Sequence, residues 1–100
     1  MPLFLINARD KSDSLALRLA NREAHLAWAG AFADRIAMAG PVFAEGGTTM
    51  AGSTFVMAFD SLAEAQAWAA DDPYAKAGLF AEVEIRPFKW LLGSGPGDAA

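Results

Sequence analysis

Residues 53–59 read S-T-F-V-M-A-F and run directly into D-S-L-A-E, residues 60–64. Phe55, Met57 and Phe59 place bulk at every second position, the period at which side chains leave one side of a strand. Ser61 and Glu64 then take the capping-box spacing, in which each side chain satisfies the other's backbone N–H before an apolar run. A strand therefore hands over to a helix within a residue or two. That helix carries Leu62, Ala65, Trp68 and Ala69 on one face and is expected to end near Ala70.

Working outward, the stretch 45–52 is rich in Gly and Thr and reads as a loop, and residues 39–43 read as a strand in which Pro41 suits an edge or bulge. Upstream, Leu15, Leu19, Leu26, Ala29, Ala33 and Ile36 recur at helical spacing. They predict a helix over 14–36, bent near Asn21 and capped by Asp13 or Ser14. Leu3-Phe4-Leu5-Ile6 reads as a strand buried on both faces. Downstream, Asp72-Pro73 has the form of a helix start, and Gly78 is placed to end that short helix. Residues 80–91 alternate Val83 and Ile85 against Glu82, Glu84 and Arg86, with Phe88 and Trp90 following, and read as a last strand.

The order strand, helix, strand, strand, helix, strand predicts an α+β chain with the ferredoxin-like βαββαβ split-βαβ arrangement and a four-stranded antiparallel sheet. Residues 1–92 form that domain and 93–100 read as a flexible tail. Both helices pack on one sheet face, yet the first strand is apolar on both sides, Phe55, Val56, Met57 and Phe59 put bulk on both faces of the third, and Phe88 and Trp90 add aromatics to the last. A second copy covering the open face, giving a homodimer, is the expected solution, with cover by the tail or the long loop as the alternative.

Composition narrows the function. The chain has 100 residues, 54% of them hydrophobic, a net charge of −4, one histidine and no cysteine. No run approaches the ~20 apolar residues of a membrane span. Lys and Arg are scattered, without the cluster that neutralises phosphates, so no nucleic-acid or membrane partner is expected. A lone His25 with no His/Asp/Glu cluster around it in sequence makes a metal site unexpected, and the absence of a phosphate loop does the same for a nucleotide cofactor. With no thiols and no leader pattern, the expected location is cytoplasmic.

Six segments carry a family likeness: R-L-A-N-R-E-A-H-L-A (18–27), A-G-P (39–41), G-S-T (52–54), A-Q-A-W-A (65–69), D-P-Y-A-K-A-G-L (72–79) and R-P-F-K (86–89). In order and spacing they resemble the YciI-like (YCII-related) family over residues 3–91. The resemblance implies a ferredoxin-like fold, sheets paired in a dimeric α+β barrel, and a site made of a histidine on the first helix and an aspartate before Pro-Tyr. Those positions are His25 and Asp72 here. The loop 44–52 is shorter than in many such proteins, which bears on the rim of the pocket.

Each candidate carries two readings. His25 sits at the border of the apolar stripe, as a half-buried helix residue or as a general acid–base whose ordinary titration range suits neutral pH. Asp72 is a helix cap that can also orient His25, because a carboxylate accepts several hydrogen bonds. Arg22 lies one turn before His25, as a solvated arginine paired with an acid or as a group that draws a carboxylate substrate. Tyr74 is a packing aromatic or a hydroxyl offered to a small ligand, Ser53 holds a turn or binds that ligand, and Gly40 shapes the backbone at the pocket edge. The expected activity is cofactor-free proton transfer on a small anionic or lactone-like substrate, of isomerase, lyase or dehalogenase type. The alternative is a non-catalytic dimeric module that binds a small ligand or a partner.

Overall fold

The computed structural model describes residues 1–93. The chain runs β1 (Leu3–Asp10), α1 (Leu15–Gly30), one 3₁₀ turn (Ala33–Arg35), β2 (Ile36–Phe43), β3 (Met50–Ala58), α2 (Leu62–Ala70), α3 (Pro73–Lys76) and β4 (Phe80–Phe88). The strands form one antiparallel sheet in the order β2-β3-β1-β4. This is the split-βαβ arrangement, with the two long helices placed between strands as the order of elements requires. Of the segment expected as a tail, residues 94–100 lie outside the described residues.

The register explains the core. Phe4 pairs with Met57, and Ile6 lies between Phe55 and Ile85, so one face of β3, β1 and β4 is continuously apolar there. Phe4, Ile6, Phe55, Met57, Phe59, Ala65 and Trp68 form the buried cluster under the helices. Full burial of each large side chain stabilises the fold by about 1.5–3 kcal/mol. Trp28 of α1 stacks on Trp68 of α2, centroids 4.1 Å apart, which ties the helices together over the sheet. The N-terminus of α2 is held as expected, with Ser61 Oγ accepting from the Glu64 N–H at 3.2 Å. The reciprocal bond of the capping box is absent among the described residues.

Several expectations are corrected. The first helix ends at Gly30, and Ile36 opens β2 opposite Met57, so its apolar spacing belonged to a strand. Neither Asp13 nor Ser14 caps α1 through its side chain: Asp13 adopts φ 55°, and Ser14 Oγ donates instead to the Ser12 carbonyl. The Leu15, Leu19 and Leu26 stripe is exposed, and the inward face of α1 presents Arg18 and His25. β1 buries only the face bearing Phe4, Ile6, Ala8 and Asp10, while Leu3 and Leu5 are partly exposed on the other. The last strand stops at Phe88, so Trp90 lies beyond it.

The helix-free face is divided. Leu5, Met38, Val56, Phe88, Trp90 and the following leucines line an apolar groove of about 390 Å³. Farther along the same face, Thr54 Oγ1 donates to Asn7 Oδ1 at 2.9 Å and Arg86 pairs with Glu84 at 3.0 Å. Pro41 lies on β2, an edge strand with a register shift on each side of it, where a residue lacking an N–H is tolerated.

Candidate functional site

The site begins with a helix start. Asp72 caps α3, its Oδ1 accepting the Tyr74 backbone N–H at 2.9 Å, with Pro73 in the first helical position. Gly78 follows the helix at φ +80°, a left-handed conformation suited to glycine, and returns the chain to β4. The same Asp72 oxygen lies 2.8 Å from His25 Nδ1. Both side chains are buried, His25 at 7% and Asp72 at 2% exposure. A carboxylate accepts and does not donate, so the bond assigns the proton to Nδ1 and leaves Nε2 as the free ring nitrogen.

Tyr74 completes this unit. Its ring stacks on the imidazole with centroids 4.0 Å apart and planes inclined by 15°. The guanidinium carbon of Arg18 lies 4.6 Å from the centre of the same ring. Arg18 and His25 are two helical turns apart on α1, about 10.5 Å by rise, and the tyrosine ring fills the interval. Burial raises the Tyr74 hydroxyl above its ordinary pKa, and the nearby Arg18 and Arg22 charges offset part of that shift.

Arg18 itself is only 2% exposed. It forks onto Asp10, Nε to Oδ2 at 2.8 Å and Nη2 to Oδ1 at 3.2 Å, and Nη2 also donates to Ser53 Oγ at 2.7 Å. A buried charge requires such partners, and Asp10 at the end of β1 supplies the compensating one.

These groups surround a cavity of about 290 Å³ between α1 and the β2–β3 edge. Its polar wall is Arg18, Arg22, His25, Ser53 and Tyr74, and its apolar wall includes Leu26, Ile36, Met50 and Phe55. Gly40 contributes backbone to the rim; a Cβ there would meet no atom within 4 Å. Asp72 is not on the wall but stands behind His25. Arg22 has no ion-pair partner among the described residues, so the mouth carries an uncompensated positive charge. Among the described residues no three His, Cys, Asp or Glu side chains gather as a metal site, and no helix is long and apolar enough to cross a membrane.

The family model for the YCII-related domain matches residues 2–89. The chain belongs to the YCII-related family. Protein YciI of Escherichia coli is 45% identical over 94 residues, covering 87% of this chain and 96% of that protein. An uncharacterised protein of Haemophilus influenzae is 41% identical over 95 residues, covering 86% and 95%. Among solved structures, 5-chloro-2-hydroxyhydroquinone dehydrochlorinase (TftG) from Burkholderia phenoliruptrix AC1100, in complex with 2,5-dihydroxybenzoquinone, matches with TM-score 0.82 at 35% identity. That match covers 91% of this chain and 95% of the other. The named substrate of TftG is a chlorinated aromatic ring, not a lactone.

In this YCII-related chain the residues anticipated from sequence converge: His25, Arg22, Gly40, Ser53 and Tyr74 on one cavity, with Asp72 bonded to His25. Arg18 and Asp10 were missed. The signal available for Arg18 was its spacing, since residues 18, 22 and 25 stand at i, i+4 and i+7 on one helix face. Asp10 offered none, because only the fold brings the end of β1 beneath that face.

Proposed function

We propose that this YCII-related protein is a cofactor-free enzyme that moves a proton on a small, oxygen-rich, anionic ring compound, with His25 as the base and Asp72 as the group that orients it. One observation carries the reading: a buried histidine whose Nδ1 is held by a buried carboxylate, with its other nitrogen free beside a cavity lined by two arginines. His25 Nε2 takes a proton from the substrate. The electron pair released either shifts a double bond or expels a leaving group from the neighbouring carbon. In the double-bond shift the protonated His25 returns the proton to another atom of the substrate, and in the elimination the substrate loses a proton and an anion such as chloride, the proton passing from His25 to solvent; neither form needs an oxidant. Arg22, Ser53 and Tyr74 bind the substrate. The likeness to a dehydrochlorinase with a hydroxybenzoquinone bound supports the elimination form.

The apolar half of the open sheet face supports a second element of the proposal, a homodimer formed by pairing those faces.

Chloride release from 5-chloro-2-hydroxyhydroquinone, measured with wild type, His25→Asn and Asp72→Asn, tests the catalytic reading. Turnover should fall by about 10²–10⁴ in His25→Asn, as for loss of a general base. Wild-type binding of 2,5-dihydroxybenzoquinone without turnover of this or related ring enols would make the protein a binding module instead.

A further inference from the structure

The hydrogen-bond directions around Ser53 carry more than its position on the wall. Arginine nitrogens only donate, so the 2.7 Å bond from Arg18 Nη2 occupies a lone pair of Ser53 Oγ and leaves the serine proton for another partner. Ser53 is 3% exposed and lines the cavity, so the cavity is where that partner can sit. Arg18 Nη1 has no hydrogen-bond partner among the described residues, and Arg18 lines the same cavity. Asp10 holds the fork through the other edge of the guanidinium, which prevents Arg18 from turning toward the mouth.

We infer that Arg18 Nη1 and the Ser53 hydroxyl form a subsite for a ring oxygen of the substrate, at the end of the cavity remote from His25. The distances suit a single ring. Ser53 and Phe55 share one side of β3, about 6–7 Å apart by strand rise. The imidazole centroid of His25 lies 5.9 Å from that of Phe55. Both separations are of the order of a six-membered ring with an oxygen at each end. Two donors at the far end select an oxygen that accepts, a hydroxyl, carbonyl or enolate, and disfavour a ring that ends in C–H, which would leave buried donors unpaired.

The inference rests on the proposed use of this cavity for an oxygenated ring, and binding measurements separate the two. The probes are 2-hydroxyhydroquinone and catechol, kept anaerobic, which differ by one ring oxygen opposite the shared pair. Wild type should bind the first about tenfold more tightly, the worth of a good hydrogen bond. Ser53→Ala, which leaves the Arg18–Asp10 pair in place, should narrow the difference severalfold by weakening only the first, with Arg18 Nη1 keeping the remainder. His25→Asn should keep the preference. A merely structural role for Ser53 would weaken both probes alike. Equal affinities in wild type, or a preference undiminished by Ser53→Ala, overturn the subsite and leave the proton-transfer reading standing. Failure of wild type to bind either probe overturns both.

Discussion

The imidazole of His25 lies flat against the ring of Tyr74, and both reach the same atom: His25 through Nδ1 and Tyr74 through its backbone N–H bond to Asp72 Oδ1. Helix cap, ring stack and histidine–aspartate pair are thus one unit. The proline-initiated start of α3 places the carboxylate, and the following residue supplies the surface that keeps the imidazole from rotating. Function and stability share an oxygen here, and substitutions can separate them.

Asp72→Asn keeps a side chain of equal capping strength, whereas Asp72→Ala removes the cap and leaves His25 Nδ1 buried without a partner. Urea denaturation should show a loss of about 2–4 kcal/mol for alanine and less than about 1 kcal/mol for asparagine. Equal losses would mean that the charge, not the cap, carries the stability.

Breaking the Arg18–Asp10 pair on one side should be costly. Arg18→Leu strands a buried carboxylate whose side chain is 5% exposed, and the loss should be about 3–5 kcal/mol. Adding Asp10→Leu should restore most of it, since two apolar side chains need no compensation. Denaturation of the four-member cycle measures the coupling. A double variant no more stable than Arg18→Leu alone would show that the pair is not the origin of the cost.

The parts of the fold that local chemistry dictates were legible in the sequence. Ser61 before Glu64, Asp72 before Pro73 and Gly78 after Lys76 act within a few residues, and each stands where the spacing placed it. The inward face of α1 was not legible, because periodicity counts apolar residues and this face is built from Arg18, Asn21 and His25. The burial of Arg18 and His25 depends on Asp10, Ser53 and Asp72, which only the tertiary fold delivers. Ile36 misled for the converse reason: an apolar residue at helical phase fits a strand equally well when the helix has already ended.

Gly52 marks a close approach of β3 to β1. A Cβ there would stand 2.5 Å from the Ala8 carbonyl oxygen, a backbone atom that cannot swing aside. Gly52→Ala should therefore push the central strands apart and cost about 1–3 kcal/mol. Ser53 is the next residue, so the same variant should weaken ring binding. Gly40→Ala, where a Cβ meets nothing within 4 Å, is the control, and thermal melts should rank it well above Gly52→Ala.

Tyr74 makes stability depend on alkaline pH. Burial holds its folded pKa above the ordinary 10.0. As pH rises through that value the unfolded chain gives up the phenolic proton first and binds fewer protons than the folded one, so stability falls. Below it both states are protonated and the group adds no slope. The chain has one tyrosine, so phenolate absorbance reports this residue alone. The urea midpoint of wild type should fall more steeply above pH ~10 than that of Tyr74→Phe. Parallel curves would remove Tyr74 as the cause.

The groove around Met38 and Phe88 is the test of assembly. Met38 is 41% exposed and Phe88 38%, beside a Val56 already buried at 2%, so the apolar patch is half covered by its own chain and half open. Met38→Asp puts a charge in the middle of the face that pairing would desolvate, at a cost several kcal/mol above that of an apolar contact. Sedimentation should give twice the chain mass for wild type and the single-chain mass for Met38→Asp. The His25–Asp72 bond lies on the helix side of the sheet, so ring binding in the monomer reports whether the cavity needs the second copy. A wild-type monomer at micromolar concentration would sink the dimer, and the cavity would then have to be complete within one chain.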